Sequence, residues 1–480
     1  MTFYVFASST LHNAMHKTAF KPLSYAALLL LVTLSSCSLF KEVASGDALV
    51  NEFIKVNMEY WYYWNDKIPS GADKKLPSSD YFNAMLYTYD KQARPDGDRF
   101  SRFLDNAETT EASLAGESKT TGARLSLYNI NNTISALVLY VIPGSPAAQS
   151  GVKRGDIIAK MTVDGQAVTA DNYANLLAVG TNYVFSLGRY ENAAFVSTGQ
   201  TKTVVAQSLQ EDPMPFDTIY TKGNKKIGYL VYNRFYSKPN NSDQALYDQK
   251  MAQIFGKFKA AGVNEFVLDL RYNGGGYIST AVTLGSFIAK GANDKVLMTR
   301  DEYNKNVTPD LQKQYGANYG QRFFENRPEN IGSNLSRVYV LTSTRTASAS
   351  EMVINSLKPF MEVFLIGDVT VGKNVGSTVI KDTKKRFVQG IMPIILKTYN
   401  SAGQSDYTAG FTPNVTVKES ITQPFYAFGD LRDPLLSEAF YQITGTRNAR
   451  RGISESEPIE RYKIQPQGPE TEMFVESSPK

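Results

Sequence analysis

Residues Glu265–Gly276 read EFVLDLRYNGGG and indicate a buried strand that ends in a glycine turn. The first six residues are a nearly continuous apolar run, which is typical of a parallel strand buried on both faces. Three consecutive glycines follow, and because they lack side chains the backbone can turn sharply with its N–H groups accessible. Such N–H groups can point at a negatively charged oxygen. Many strand-to-helix turns contain a glycine triplet, however, so this feature needs support from the rest of the chain.

Segments on both sides of this strand alternate between strand and helix patterns. Strands are predicted at Ile227–Tyr232, Val338–Thr342 and Val363–Ile366, and helices at Ser242–Ala261, Ser279–Lys290 and Ala349–Phe360. This alternation predicts a layered α/β domain with right-handed crossovers, which we place at residues 210–446.

Two smaller units are predicted before this domain. Asn51–Ile68 and Tyr81–Tyr89 have helix-like apolar spacing, so residues 51–118 are expected to form a small N-terminal helical subdomain. The aromatic group Tyr60–Trp64 is more typical of helix packing than of a ligand site. Residues 119–209 change to short strands, including Ile134–Ile142, and indicate a β-rich domain.

The β-rich region contains SPAAQSGVKRGDII at Ser145–Ile158, which resembles the core of a bacterial PDZ domain. A PDZ domain binds an extended peptide by adding it to a sheet edge. The resemblance implies a carboxylate-binding loop at Gly122, Ala123, Arg124 and Leu125. Arg124 occupies the position of a second glycine, so we expect binding to depend only partly on a free C-terminal carboxylate. The alternative is an unrelated small β domain.

The sequences at the two ends of the chain do not have the patterns of a folded domain. In residues 1–36, Lys17 and Lys21 precede the apolar run Leu23–Leu34, which suits an export signal and is shorter than the roughly 20 residues of a membrane span. The following Leu-Ser-Ser-Cys resembles a bacterial lipobox, which implies lipidation of Cys37, with residues 37–50 as a tether. The alternative is an uncleaved anchor. Residues 447–480 are polar and are expected to form a mobile tail.

Composition excludes several kinds of chemistry. Cys37 is the only cysteine, and the only histidines, His12 and His16, lie in the predicted signal. The mature chain therefore lacks an internal disulfide, a thiol nucleophile, a histidine base and imidazole metal ligands, and we expect no metal or cofactor. The net charge is +5, two units of which come from Lys17 and Lys21, so the sequence gives no indication of nucleic acid binding.

Two further segments carry candidate chemistry. Ser348 lies in Thr346–Glu351, before a predicted helix, where a serine is usually only an N-cap. Its small neighbours would let a carbonyl group approach, and the helix dipole and the Ala349 N–H would stabilise developing negative charge. Lys373 follows the next strand between glycines, which places it at the same sheet edge as Ser348. Most lysines, however, are solvated surface charges.

Together these segments resemble the C-terminal processing, or tail-specific, serine proteases over about residues 51–414. That family combines DLRxNxGG with a serine in an SASE context and a lysine 25 residues later in a GK motif, and Ser348 and Lys373 have this spacing. Asp98–Phe103 matches the segment before the family's PDZ domain. Gly410–Asn414 matches its late GxxPD element, with Asn in place of Asp.

The resemblance implies a serine endopeptidase with an α/β protease core, a layered βαβ sheet, an inserted PDZ-like β-rich domain and a small N-terminal helical subdomain. Unprotonated Lys373 would take the proton of Ser348, while the N–H of Ala349 and of Gly275 or Gly276 would form the oxyanion hole. A free lysine has a pKa of about 10.4. To act as a base near neutral pH, Lys373 would need a pKa lowered to roughly 7–8.

Many family members have a glutamine four residues after the lysine, which orients its amine. Ser377 occupies that position here, so its hydroxyl is the candidate for this orienting role, with a shorter reach. This is the one departure within the predicted catalytic machinery.

Two other functions remain open. The chain would also suit a non-catalytic lipoprotein that binds peptides or an apolar ligand, or a Ser/Lys amidase acting on cell-wall peptides. The retained serine, lysine and glycines favour the enzyme, and the PDZ-like domain favours polypeptide substrates held in part by their C-terminal ends. We therefore expect an exported bacterial lipoprotein, bound to a membrane by its lipid and facing the periplasm or the cell surface.

The lipobox resemblance predicts the fate of Cys37. Cys37→Ser should leave an unprocessed, unlipidated precursor whose N-terminus and membrane partitioning differ from those of the wild type, because the thiol that is acylated is lost. Mass spectrometry of the N-terminus checks the processing, and Ser38→Ala is the matched control that should remain lipidated. Identical partitioning and N-termini for Cys37→Ser and the wild type would contradict the prediction.

Overall fold

The computed structural model describes residues 46–192, 194–446, 462–464 and 473–474. The predicted signal, Cys37, most of the tether and most of the C-terminal tail lie outside the described residues. Among those that are described, we find no helix with the length and apolarity required to cross a bilayer.

The N-terminal segment is mainly helical and packs against the rest of the chain. Tyr62 and Trp64 are buried within an apolar cluster, so the aromatic group is used for packing. The helix predicted for residues 81–89 ends at Ala84, because the backbone that follows pairs with the turn at residues 94–98 instead. The elements are α1 (Asp47–Trp61), a 3-10 turn (Asn65–Lys67), α2 (Ser78–Ala84), β1 (Arg102–Leu104) and α3 (Ala107–Leu114).

The next region is a β domain at residues 117–210. Its elements are β2 (Glu117–Thr120), β3 (Ala123–Ile130), β4 (Thr133–Val141), α4 (Pro146–Gln149), β5 (Ile157–Val163), β6 (Gln166–Ala167), α5 (Tyr173–Val179), β7 (Asn182–Glu191), β8 (Ala194–Val205) and β9 (Gln207–Gln210). The antiparallel sheet has the order β3-β4-β5-β7-β8, which leaves β3 at one edge. Since β2 pairs with β9, the chain enters and leaves this domain at adjacent points.

The core alternates strands and helices as predicted, with bounds that shift by a few residues. Its elements are β10 (Phe216–Lys222), β11 (Lys225–Val231), α6 (Leu246–Ala260), β12 (Glu265–Asp269), β13 (Gly276–Tyr277), α7 (Ile278–Ile288), β14 (Leu297–Tyr303), α8 (Val307–Tyr315), β15 (Gln321–Phe323), a 3-10 turn (Gly332–Asn334), β16 (Arg337–Thr342), α9 (Ala349–Leu357), β17 (Glu362–Gly367), β18 (Val375–Ser377), β19 (Ile380–Lys381), β20 (Gly390–Met392), β21 (Ile394–Asn400), β22 (Val415–Thr416) and α10 (Pro434–Thr444). A last strand, β23 (Met473–Phe474), comes from the tail.

Two sheets enclose the central helices. The main sheet has the order β10-β11-β12-β16-β17-β22, and the second has the order β13-β23-β18-β21-β14-β15. Successive side chains of β12 point to opposite faces: Leu268 packs in the cluster that contains α6, α7 and α9, whereas Val267 packs in the cluster that contains α10. The strand is therefore buried on both faces, as its apolar sequence predicts.

The parallel strands of the main sheet end at one edge. β12 ends at Asp269, β16 at Thr342 and β17 at Gly367, and these three strands are adjacent and parallel. The loops that follow them therefore meet at this edge. We call them the glycine loop (residues 270–276), the serine loop (343–348) and the lysine loop (368–374).

A buried charge network joins the β domain to the glycine loop. Arg271 is buried and makes ion pairs with Asp269, Glu419 and Asp433. Arg154 of the β domain bonds the same Glu419 at 2.6 Å. Burial by itself would raise the pKa of the Glu419 carboxyl group. The guanidinium groups of Arg154 and Arg271 outweigh this effect and lower the pKa of Glu419 to about 2. Its stabilising contribution is therefore complete above the unfolded-state pKa and is lost as the pH falls towards 2.

Asp433 is a buried partner in this network whose loss should reduce stability. Asp433→Ala removes two bonds to the Arg271 guanidinium and both N-terminal bonds of α10, so a buried cation loses one of its three carboxylate partners. We expect the free energy of unfolding to fall by about 3–5 kcal/mol in urea melts. Asp430→Ala, which breaks an exposed pair with Arg432, is the matched control and should have little effect. Equal stability losses for the two variants would contradict the assignment.

Candidate active site

Ser348 occupies the N-cap position of α9 but does not have the geometry of an ordinary cap. An N-cap serine normally has extended backbone angles and accepts a hydrogen bond from the first helical turn. Ser348 has φ of 66°, and no described residue provides a hydrogen-bond partner for its buried Oγ. A positive φ at a non-glycine residue costs on the order of 1–3 kcal/mol and is concentrated at functional sites. Ser348 therefore occupies the N-cap position, in a capping box with Glu351, with a backbone conformation that is unusual for a cap.

Hydrogen bonds to backbone carbonyl oxygens attach the serine loop and the first turn of α9 to the glycine loop. The carbonyl oxygen of Asn273 accepts from the Ala347 N–H at 3.1 Å and from Ser350 Oγ at 2.9 Å. Thr346 Oγ1 donates to the Leu270 carbonyl oxygen at 2.8 Å. These contacts bracket Ser348 on both sides, so its position relative to the glycines is fixed by the fold.

The predicted oxyanion-hole residues lie around this junction. Ala349 is the first residue of α9, where helical N–H groups have no partner within the helix. The Gly275 N–H already donates to Asn273 Oδ1 at 2.9 Å. Gly276 has φ of 141°, and a Cβ there would approach the Phe235 carbonyl oxygen to 2.2 Å, so this position requires glycine.

Lys373 lies in the lysine loop with no exposed surface. Its Nζ is 5.0 Å from the centroid of the Phe100 ring. Arg99, the residue before Phe100, donates to the carbonyl oxygens of Gly372 and Thr408 at 2.9 and 3.0 Å. The Asp98–Phe103 segment therefore contacts and supports the lysine loop. This contact explains why a motif so far from Lys373 in the sequence belongs to the same site.

The carboxylate of Glu351 connects the serine loop with the lysine loop. Its Oε2 accepts from the backbone N–H of Ser348 and from that of Lys373, each at 2.8 Å. Because the Ser348 and Lys373 backbone nitrogens are each 2.8 Å from the same oxygen, they are separated by no more than about twice that distance. Its Oε1 accepts from Gly372 N at 2.6 Å and from Thr370 Oγ1 at 2.5 Å. One buried side chain thus positions both predicted catalytic residues.

Glu351 has no role in the predicted site, although the sequence contains a signal for it. A serine followed three residues later by glutamate at a helix start is the capping-box pattern, and Glu351 makes the carboxylate half of that pattern. Its second function, towards the lysine loop, depends on tertiary contact. Burial raises the pKa of the Glu351 carboxyl group, and the four hydrogen bonds oppose that rise.

Two remaining motif residues also lie at the lysine loop. Ser377 is buried in β18, four residues beyond Lys373. The Phe411 N–H donates to Thr370 Oγ1 at 2.7 Å, so the Gly410–Asn414 element supports the hydroxyl that bonds Glu351.

A cleft of about 980 Å³ leads from the loops to the β domain. It is lined by Gly274 and Val371 at one end and by Leu125 and Leu177 at the other, and Glu211 is its one acidic lining residue within the described structure. The basic lining residues are Arg99, Arg102, Lys119, Arg124, Arg234 and Arg345. No group of three or more Cys, Asp or Glu side chains suited to a metal ion occurs in the described residues.

The predicted carboxylate-binding loop is partly engaged by its own neighbours. The N–H groups of Gly122 and Ala123 donate to the hydroxyls of Thr120 and Thr121 at 3.1 and 3.3 Å. Arg124 points towards the cleft and bonds Glu211 at 2.5 Å.

Comparison with known proteins gives a consistent result. Residues 226–417 match the model of Peptidase family S41, and residues 50–102 match that of the Peptidase S41 N-terminal domain. The carboxy-terminal processing protease CtpA of Bacillus subtilis is 25% identical over 402 residues, covering 81% of this chain and 74% of the relative. The chloroplastic C-terminal processing peptidase of Tetradesmus obliquus is 23% identical, with 73% and 70% covered.

A solved structure supports the same fold. A crystal structure of a Bacteroides fragilis protein assigned to the S41 proteases is 29% identical, with a TM-score of 0.66, and the match covers 82% of this chain and 97% of that one. The chain is thus a serine-type peptidase of mixed sheets and helices. It belongs to peptidase family S41, the family of the C-terminal processing proteases.

Glu351 provides a test of the site geometry. Glu351→Gln places an NH2 group among four donors, so at least one bond to the serine or lysine loop is lost. We expect kcat to fall about 10- to 100-fold with little change in KM, because the loops shift relative to each other. Glu265→Gln, another buried glutamate, at the far end of β12, is the control that should keep kcat. A loss of activity that merely follows the loss of folded protein in thermal melts would contradict a positioning role.

Proposed function

We propose that this peptidase cleaves peptide bonds in exported or unfolded polypeptides with Ser348 as nucleophile and Lys373 as base. The observation that carries the proposal is the shared Glu351 oxygen, which holds the backbone of both residues. A purely structural N-cap would not require a serine with a positive φ whose Oγ has no hydrogen-bond partner among the described residues. The serine and lysine loops also meet at the carboxyl edge of the sheet, where active sites of α/β folds occur.

The proposed reaction is an acyl transfer in which Ser348 and Lys373 act in sequence. Lys373, as the neutral amine, accepts the proton of Ser348 Oγ as that oxygen attacks the peptide carbonyl. Full burial is the environment in which lysines serve as bases. The proton then passes to the leaving amine, and water repeats the attack on the acyl-enzyme.

The developing oxyanion is stabilised by backbone N–H groups. Ala349 supplies one at the start of α9, where the helix dipole adds favourable charge. The second comes from the glycine loop, and Gly276 is the better candidate because the Gly275 N–H is held by Asn273. Ser377 is the group we assign to orient the Lys373 amine.

The β domain is proposed to act as a PDZ-like module that presents substrate to the core. Strand β3 lies at the sheet edge, as strand addition requires, and the cleft leads from this strand to the catalytic loops. The basic lining favours a C-terminal carboxylate or acidic side chains. Because Gly122 and Ala123 donate to threonine hydroxyls, we expect only partial dependence on a free terminus.

We also propose that the enzyme works as an exported lipoprotein bound to a membrane through Cys37. The export signal and lipobox resemblance support this location. Polypeptides in the periplasm or at the cell surface would then be its substrates, and no cofactor or metal is required by the proposed chemistry.

The Ser-Lys assignment predicts a specific set of kinetic outcomes. Ser348→Ala and Lys373→Arg should each lower degradation of a loosely folded reporter by at least about 10³-fold, because alanine removes the nucleophile and a guanidinium cannot release its proton in this range. In the wild type, activity should rise with pH along one ionisation. Lys381→Arg, at an exposed pair with Glu111, is the control that should retain activity.

The assignment fails if Lys373→Arg retains substantial turnover. It also fails if a fluorophosphonate labels Ser348→Ala as readily as the wild type. Mass spectrometry of the labelled peptide identifies the serine in either case.

A further inference from the structure

Part of the C-terminal tail lies on the free edge of the β domain. Lys463 forms an antiparallel bridge with Tyr128 of β3, and the Ile464 N–H donates to the Leu127 carbonyl oxygen at 2.9 Å. The Ile464 side chain packs against the apolar cluster that also supports Leu127 and Leu177. This is strand addition at the position where the proposed function places a substrate peptide.

A second part of the tail lies at the catalytic loops. Strand β23 fills the space between β13 and β18 in the second sheet, pairing parallel with both. Met473 is opposite Gly276, the proposed oxyanion residue, and Phe474 is opposite both Tyr277 and Ser377. The tail backbone therefore bridges the glycine loop and the strand that follows Lys373.

We infer that the enzyme's own C-terminal segment is an intramolecular ligand of its peptide-binding site and competes with substrate. Residues 462–464 occupy the β3 edge, and residues 473–474 occupy the gap beside the catalytic loops. Ser348 and Lys373 have no exposed surface in this state. A substrate strand needs the same backbone donors and acceptors, so tail and substrate exclude each other. The inference rests on the proposed function.

The covalent link makes such competition effective even for a weak ligand. Residues 445–461 separate the end of α10 at Thr444 from the paired residues, and the contour length of a chain of that many residues is at most about 60 Å. Tethering over such a length gives an effective concentration on the order of 1 mM. A tethered segment with an intrinsic Kd of about 100 µM would therefore lower the apparent affinity of a competing peptide about tenfold.

The test measures binding in the Ser348→Ala background, where the tail cannot be cleaved. A fluorescein-labelled peptide of residues 462–474 is titrated against the full chain and against a chain that ends at Arg461. We expect the shortened chain to bind about tenfold more tightly, because its sites are vacant. Ile464→Asp in the full chain should shift the affinity in the same direction. Ile453→Asp, the same change in the linking residues, is the control that should match the full chain.

Equal affinity of the full and shortened chains would overturn the inference. If the shortened chain does not fold, Ile464→Asp decides alone, and an affinity equal to that of Ile453→Asp would overturn it. In the active enzyme, removal of residues 462–480 should lower KM for a reporter about tenfold and leave kcat unchanged. Because the binding test needs no catalysis, loss of the Ser-Lys assignment and loss of the tail inference give different results.

Discussion

The arrangement of the site depends on one buried carboxylate that is surrounded by donors. Glu351 receives hydrogen bonds from two loops that are far apart in sequence, and each bond is made to backbone or to a hydroxyl rather than to a counter-ion. A carboxylate in an apolar interior is costly unless its oxygens are satisfied. The loops must therefore keep their N–H groups on Glu351, and this requirement sets the position of Ser348 relative to Lys373.

A second set of buried charges extends this constraint to the β domain. Arg154 enters the core, bonds the Tyr272 hydroxyl at 2.6 Å, and shares Glu419 with Arg271. Tyr272 belongs to the glycine loop and stacks on Tyr140 of the β domain at 5.7 Å between ring centroids. A displacement of the β domain would unpair buried cations, which is strongly unfavourable. The position of the β domain and the shape of the glycine loop are thus mechanically connected.

Strand edges explain how the tail can pair with two different sheets of the molecule, and the proposed substrate strand would use the same backbone groups. Edge strands present unpaired backbone groups that accept any extended segment. The β3 edge and the gap between β13 and β18 are two such places, and the cleft with its basic lining leads from the β domain to the catalytic loops. The expectation of a mobile tail came from polar composition, which carries no information about backbone pairing of this kind.

The sequence by itself determined the order of the elements and restricted the kinds of chemistry that the chain can perform. Absence of histidine from the chain after Cys37 restricted the base to other side chains, and the buried run at Glu265–Leu270 with its glycines placed a loop at a sheet edge. Apolar periodicity sets strands and helices locally, so these features could be predicted. Only the tertiary structure decided the strained φ of Ser348, the double role of Glu351 and the pairing of Met473 with Gly276. Each of these depends on hydrogen bonds between residues distant in the chain, and local sequence patterns do not encode which distant donor meets which acceptor.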